Sequence, residues 1–295
     1  MSDRILIMAN TPWEADALVA VFNNGQARPQ QFPQPITPPQ VAIPFSDGTN
    51  ATTVNARLAY PNVEVWCIGD LLVDPNKNKA SSEEKARVLP FVANNGIPPS
   101  LVIAFGTAAF PDPQSYDGVV VIGSNVFVYN PYAASPNPAS QWTHPDIGKL
   151  LDSSKQPINQ KIFPKLRQDL RPFIEGRFLS TPIDPAKPPI LIASGGYVAV
   201  SDVNVTSVDD YAWADPEALK AFAAAAPKQS VGSVETTHGV THCVIPSSQF
   251  LFVSGIANRL GYFNMEAAPR SYAQDFVVAH NAAIALAWLL PLLLP

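Results

Sequence analysis

The chain has 295 residues and a net charge of −5, and only 15% of its residues are Asp, Glu, Lys or Arg, against roughly 25% in ordinary soluble domains. Proline, at 31 residues, is about twice its usual share of roughly 5%. The weakly acidic composition carries no basic cluster, which disfavours nucleic acid as a partner, because that role needs a Lys/Arg-rich face.

A chain this long can form one large α/β domain or two small ones, with a sizeable core. Low charge and a mean hydropathy of +0.06 imply more apolar surface than a lone monomer carries comfortably, so a homo-oligomer is expected. Cys67 and Cys243 are far apart and set among apolar residues, which reads as two buried free thiols and not as a disulfide or metal pair. The apolar run after Met1-Ser2-Asp3-Arg4 is too short for a signal peptide. The C-terminal Trp288–Leu294 run is short and interrupted by Pro291, so it does not span a membrane. The expectation is a soluble, cytoplasmic protein.

In chain order, Arg4–Ala9 (RILIMA) reads as a strand buried on both faces. Asn10 and Thr11 offer helix caps and Pro12 suits a first helical position, predicting a helix from there to about Phe22. Neither G-x-G-x-x-G nor a P-loop follows this strand, so a dinucleotide-binding fold is not expected. Residues 25–62, rich in Pro, Gln, Asn and Thr, predict an extended loop with short edge strands. Val63–Ile68 is a second strand. Ser81-Ser82-Glu83-Glu84 opens a helix that stops at Asn94-Asn95-Gly96.

Leu101–Phe105 is a third buried strand, expected to end in the small residues Gly106-Thr107-Ala108-Ala109, where a backbone can approach a ligand closely. Asp117–Gly123 and Asn125–Tyr129 read as two strands or one bent one. Residues 130–190 are loop-heavy, with a helix expected within 160–175. Ile190–Ser194 is a core strand followed by a Gly195-Gly196-Tyr197-Val198 turn. Asp215-Pro216-Glu217 opens an Ala-rich helix, and Ser233–Gly239 leads into another. Gln249–Val253 is a strand ending in Ser254-Gly255-Ile256-Ala257-Asn258, and a helix over 272–290 closes the chain. Strands alternate with helices throughout, which predicts a single three-layer α/β/α domain over 1–295, with Pro-rich insertions near 25–62 and 130–190.

In this order, Ile5–Ala9 with Glu14, Ile103–Ala109, Asp117–Val121, Gly195–Val198, Val234-Glu235, Val253–Asn258 and Asn281-Ala282-Ala283 resemble the nucleoside phosphorylase superfamily, above all its methylthioadenosine/S-adenosylhomocysteine nucleosidase branch. The resemblance implies a mixed central sheet and cleavage of the N-glycosidic bond of a purine nucleoside, with water as the acceptor and no cofactor or metal. The alternatives are a phosphate-dependent phosphorylase, which would take phosphate as a second partner, and a binding or storage protein that keeps the pocket without turnover.

By the same resemblance Glu14 positions and deprotonates the attacking water, work a carboxylate performs when burial raises its pKa. Glu235, with Thr236 beside it, holds the ribose hydroxyls, since a carboxylate accepts from both hydroxyls of a vicinal diol. Asn258 stands where nucleosidases carry an Asp that protonates purine N7; an amide donates a hydrogen bond but no proton, which either turns the preference away from adenine or marks weak catalysis. Phe105, Gly106, Thr107 and Ala108 line the base and ribose, and Tyr197 and Val198 edge the base. The Arg that binds phosphate in phosphorylases is replaced here by Ala104-Phe105, which argues against phosphorolysis.

Each of these residues also has a plainer reading. Glu14 would be a solvent-facing helix acid, Glu235 an acid at a helix N-terminus, Asn258 a helix cap, and Gly106–Ala109 a tight turn. His238 and His242 are spaced i, i+4 but lack a third metal ligand placed by sequence, so they read as core or surface residues. His144 and His280 carry no pattern, and no G-x-S-x-G nucleophile motif is present.

Overall fold

The first strand, β1 (Ile5–Ala9), is a run of five apolar residues buried on both faces, and it sits between two parallel neighbours. The computed structural model describes residues 4–9, 11–23, 40–44, 50–57, 62–67, 99–110, 118–129, 191–193, 197–202, 219–220, 222–223, 230–235, 241, 245, 248–262 and 272–293. The helices expected within 83–94 and 160–175, and most of those expected after Pro216 and Glu235, lie outside the described residues, as do Cys243, His144, His238 and His242.

After β1 the elements are helix α1 (Pro12–Asn23), β2 (Gln40–Pro44), β3 (Asn50–Arg57), β4 (Val63–Cys67), β5 (Leu101–Phe110), β6 (Val120–Gly123), β7 (Asn125–Tyr129), β8 (Leu191–Ala193), β9 (Tyr197–Asp202), β10 (Ser230–Glu235), β11 (Gln249–Arg259) and helix α2 (Tyr272–Leu293). The sheet is mixed. Parallel pairs β4–β1–β5–β11 form its centre, antiparallel β2 and β3 extend it beyond β4, and β6 runs antiparallel to β11 and parallel to β8. β10, β9 and β7 form a further wing, parallel to one another. The 25–62 stretch thus holds two of its expected edge strands. The 117–129 stretch is two strands and not one, since β6 and β7 pair with different partners.

Two strands run well past their expected ends, and both extensions matter for the site. β5 continues through Gly106-Thr107-Ala108-Ala109 to Phe110, and β11 continues through Gly255 to Arg259. The two are in register from Leu101↔Gln249 to Phe110↔Arg259. The small residues that suggested a strand end are instead places where something packs against the strand. A Cβ on Gly255 would lie 2.6 Å from the Val278 carbonyl oxygen and 2.8 Å from Val278 Cγ1, so glycine lets α2 press its backbone onto β11.

One face of the sheet carries Ile7, Val65, Ile103, Val253 and Ile122, which form a single core with Leu18 of α1 and with Ala282, Ile284, Leu286, Leu289 and Leu290 of α2. The other face carries Leu6, Met8, Val102, Phe250 and Phe252, each at most 2% exposed. Both faces are therefore covered, as a parallel sheet requires. α2 is buried along nearly all of Val278–Leu290, which matches an apolar composition on every side. It also continues past its expected end: Pro291 lies inside the helix but one turn from its terminus, where only one backbone hydrogen bond is forfeited.

Away from the site, the start of the sheet is held by polar contacts. Arg4 Nη2 donates to Glu64 Oε2 at 2.9 Å, and Trp66 Nε1 donates to the same oxygen at 3.2 Å. Ser100 N–H donates to the Arg4 carbonyl at 2.9 Å, and Gln249 N–H to the Ser100 carbonyl at 3.0 Å. Cys67 is buried and takes part in no disulfide, and no helix among the described residues is long and apolar enough to cross a membrane.

Candidate active site

The site begins with a gap in a strand ladder. β11 occupies one edge of β5 along its whole length, so β1 and β10 must share the other. β1 pairs with Leu101–Phe105, and β10 joins only at Ala109, opposite Val234. Between these contacts the Thr107 N–H has no neighbouring strand to bond. It donates to Glu14 Oε1 at 2.6 Å, and Thr107 Oγ1 donates to the same oxygen at 2.8 Å. A carboxylate from α1 fills the ladder where a strand is missing.

Glu14 reaches this position because of how α1 starts. Thr11 is the N-cap: its carbonyl accepts from the Glu14 and Ala15 N–H groups, at 3.1 and 3.2 Å. Glu14 Oε2 returns to accept the Thr11 N–H at 2.9 Å. This is the carboxylate half of a capping box, with Thr and Glu at the required i, i+3 spacing. The residue is 1% exposed, which rules out the solvent-facing reading. Its nearness to β5 requires Gly106, where a Cβ would lie 2.8 Å from Oε1 and 3.0 Å from both Cδ and Oε2.

Asn258 comes to the same end of β5 from the opposite edge. Between Ile256 and Asn258 the register to β5 slips by one, leaving Ala257 as the extra residue, so Asn258 pairs with Ala109. The bulge has a directional result: in register with Ala109, Asn258 shares the face of Thr107 instead of the face of Ile256. Asn258 is 3% exposed, and its Nδ2 donates to the Arg259 carbonyl at 2.9 Å. Its position inside a strand rules out the helix-cap reading.

Glu235 is the last residue of β10 and half-buried, so it is not an acid at a helix N-terminus. The preceding residue, Val234, pairs with Ala109. Glu14 is bonded to Thr107, Asn258 pairs with Ala109 from β11, and Glu235 follows the residue that pairs with Ala109 from β10, so the three lie on elements that meet residues 107–109 of β5, a stretch of about 7 Å along the strand. Gly106, Thr107 and Ala108 lie within this region. Phe105 does not open onto it: its ring is 1% exposed within the helix-side core. Tyr197 and Val198 are not in a turn but at the start of β9, paired with Val198↔Val231 and Tyr197↔Ser230. Thr236 lies outside the described residues. No group of three or more His, Cys, Asp or Glu suited to a metal occurs among the described residues.

Three polar residues of this region, Thr11, Asn281 and Ser254, were given no part in the site by the sequence. The Thr11-x-x-Glu14 spacing was available as a signal for the capping box. Asn281 of α2 donates from Nδ2 to the Gly118 carbonyl at 3.4 Å, tying the helix to the loop that enters β6. Ser254 is 1% exposed and its Oγ has no hydrogen-bond partner; nothing in its spacing marks it.

No protein-family model and no curated protein matches the sequence. Solved structures do match in fold, and the architecture is shared with several nucleosidases. Among them is the Helicobacter pylori 5′-methylthioadenosine/S-adenosylhomocysteine nucleosidase, in an aspartate-to-asparagine variant with 5′-methylthioadenosine in its active site. It is 10% identical, covers 99% of both chains and has a TM-score of 0.53. The corresponding nucleosidase of Colwellia psychrerythraea, in complex with adenine, is 12% identical, covers 99% of this chain and 96% of its own, and has a TM-score of 0.54. Futalosine hydrolase of Helicobacter pylori is 10% identical, covers 99% and 98%, and has a TM-score of 0.53.

Proposed function

We propose that the chain hydrolyses the N-glycosidic bond of a purine nucleoside. The observation that carries this reading is the placement of Glu14. A buried carboxylate anchored on both oxygens stands in a strand gap at the carboxyl end of β5, and the strands that pair with β5 there carry a buried amide on β11 and a half-buried acid on β10. The carboxyl ends of strands are where open α/β sheets bind ligands. The fold neighbours bind or cleave nucleosides, among them 5′-methylthioadenosine, and one holds adenine.

In this reading Glu14 orients a water and takes its proton as the water oxygen bonds to ribose C1′. The C1′–N bond breaks with its electron pair leaving on the base, and Glu235 holds the ribose hydroxyls. The departing anion is stabilised by a hydrogen bond from Asn258, and a proton from solvent completes the free base. Ala104-Phe105 stand where a phosphorylase carries its phosphate-binding arginine, which favours water over phosphate.

The hydrogen bond from Asn258 Nδ2 to the Arg259 carbonyl also bears on base preference. It fixes which end of the amide is the donor and spends one of its two N–H groups, leaving one donor and one acceptor. That pair complements a purine N7 acceptor beside a 6-amino donor. A 6-oxo group beside N7 presents two acceptors. The geometry therefore favours an adenine-type base over the 6-oxopurine that an amide at this position suggested from sequence.

Release of free base from adenosine, 5′-methylthioadenosine and inosine, with and without phosphate, tests the reading. The expected result is phosphate-independent release, faster from the 6-aminopurines, lost by roughly 100-fold or more in Glu14→Gln and raised for adenine nucleosides in Asn258→Asp. Calorimetric binding of nucleoside with no base release would instead establish a binding protein.

A further inference from the structure

Asn258 owes its direction to an irregularity in β11, and its neighbours show what holds that irregularity in place. Against β5 the extra residue is Ala257. In an uninterrupted register Ala257 would pair with Ala109 and Asn258 with Phe110, which would turn the amide to the face away from Thr107. The direction of Asn258 therefore depends on the bulge staying between Ile256 and Asn258. The other edge of β11 carries a second bulge at the same point. The ladder to β6 is regular from Phe252↔Gly123 to Gly255↔Val120. At the next residue Gly118 N–H donates to the Ile256 carbonyl at 2.7 Å, and Ile256 N–H donates to the Val119 carbonyl at 2.7 Å. Two residues, Gly118 and Val119, thus stand opposite one. Gly118 has a φ of 84°, and a glycine of positive φ as the first of two residues facing one defines a G1 bulge. The chain is pinned at Ile256 on the β6 side, immediately before it slips on the β5 side.

The two bonds to Ile256 use the Gly118 N–H and the Val119 carbonyl, and not the Gly118 carbonyl. That carbonyl accepts from Asn281 Nδ2 of α2 at 3.4 Å, in a buried setting. Asn281 is 1% exposed, on a helix whose Val278–Leu290 stretch is otherwise apolar apart from His280. An amide so placed costs free energy unless it is hydrogen-bonded, and the Gly118 carbonyl supplies an acceptor. The helix is seated at the same spot by packing. Val278, one turn before Asn281 on the same helix face, presses its backbone against Gly255. One face of α2 thus holds Gly255 directly and holds Ile256 through Gly118, and Ala257 and Asn258 follow at once.

We infer that Asn281 is a positioning residue for Asn258: by holding Gly118 it fixes the bulge on the β6 side, which keeps the β11 bulge in place and the Asn258 amide on the Thr107 face. Asn281 contacts Gly118, and its effect reaches Asn258 through Ile256. The consequence for base preference rests on the proposed function, in which Asn258 meets the purine. The coupling of Asn281 to the register of Asn258 rests on the hydrogen bonds and pairing alone.

The test uses Asn281→Leu, which keeps the side-chain volume and removes the donor. The ratio of kcat/KM for adenosine to that for inosine is expected to fall about 10-fold, because a displaced amide no longer tells a 6-amino from a 6-oxo group. A merely structural role would slow both substrates alike and leave the ratio unmoved. In an Asn258→Ala background the same substitution should leave the ratio as it is, since the group it acts through is gone. Gly118→Ala, which puts a side chain at positive φ in the same bulge, should lower the ratio as well, and it decides the matter if Asn281→Leu does not fold. An active wild type whose ratio is unaltered in a folded Asn281→Leu or Gly118→Ala variant overturns the role of Asn281 and leaves the hydrolytic reading standing. A wild type that releases no base overturns the hydrolytic reading instead. Crystal structures of wild type and of the folded variant then decide the inference by themselves: the expected result is an Asn258 no longer paired with Ala109, and an unchanged register overturns it.

Discussion

Replacing Gly106 by alanine probes the strand gap directly. The new Cβ would stand 2.8 Å from Glu14 Oε1 and 3.0 Å from Cδ and Oε2, where ordinary contact begins at 3.4 Å. The carboxylate would have to withdraw by about half an ångström. Gly106 is not among the described glycines with positive φ, Gly118 and Gly261, so backbone strain is not part of the effect. Withdrawal stretches the 2.6 Å bond from Thr107 N–H and the 2.8 Å bond from its hydroxyl. Hydrogen bonds to a charged group contribute roughly 1.5–3 kcal/mol each. Alanine in place of glycine returns about 0.5–1 kcal/mol by restricting the unfolded chain. If the two bonds weaken and do not vanish, the net loss is about 2 kcal/mol, which leaves a domain of ordinary stability folded. A shift of this size in a group that orients a nucleophile costs on the order of 10- to 100-fold in rate. Urea unfolding and base release measure the two effects. A double-mutant cycle with Glu14→Ala isolates the cause: once the carboxylate is gone, Gly106→Ala should cost nothing, giving a coupling of about 2 kcal/mol. Equal costs in both backgrounds would refute the account.

Gly255→Ala should be more damaging than Gly106→Ala, because its Cβ meets the Val278 carbonyl at 2.6 Å and a helix backbone cannot rotate away; a loss of about 3 kcal/mol or more in urea unfolding is expected. Glu64→Ala leaves the Arg4 guanidinium, 9% exposed, without that carboxylate and removes the acceptor of Trp66 Nε1. It should cost about 2–3 kcal/mol yet leave the kcat of the folded protein unchanged, since the pair stands at the opposite end of β1 from Glu14.

Much of the layout is legible in the sequence because it depends on local pattern. The apolar runs at Ile5–Ala9, Val63–Cys67 and Leu101–Phe105 can only be buried strands, and Thr11-Pro12 announces α1 through φ and capping chemistry. What local pattern misreads is the role of small residues. Gly106 and Gly255 have the composition of strand ends, but each is a contact with something far away in sequence: a carboxylate 92 positions earlier in one case, a helix 23 positions later in the other. The same limit explains β10, whose Ser230–Glu235 run has too little apolar alternation to announce a strand and is ordered by pairing with β9 and β5. The bulge at Ala257 is likewise invisible locally, although it decides which face Asn258 occupies.

The hydrogen bond between Glu14 and Thr107 closes a loop of 93 residues, and the pairing of Asn258 and Val234 with Ala109 closes longer ones. Contacts of such sequence separation carry a large loop-closure cost before they return any stabilisation, so they form late in folding. The site consequently does not exist in any partly assembled sheet. On the proposed function, a nucleoside would bind only after β10 and β11 have both docked on β5, and its affinity would then be fully linked to the closed fold. At a concentration 100 times its Kd, such a ligand would raise the unfolding free energy by about 2.7 kcal/mol, which makes thermal stabilisation a sensitive first screen for a ligand of the proposed site.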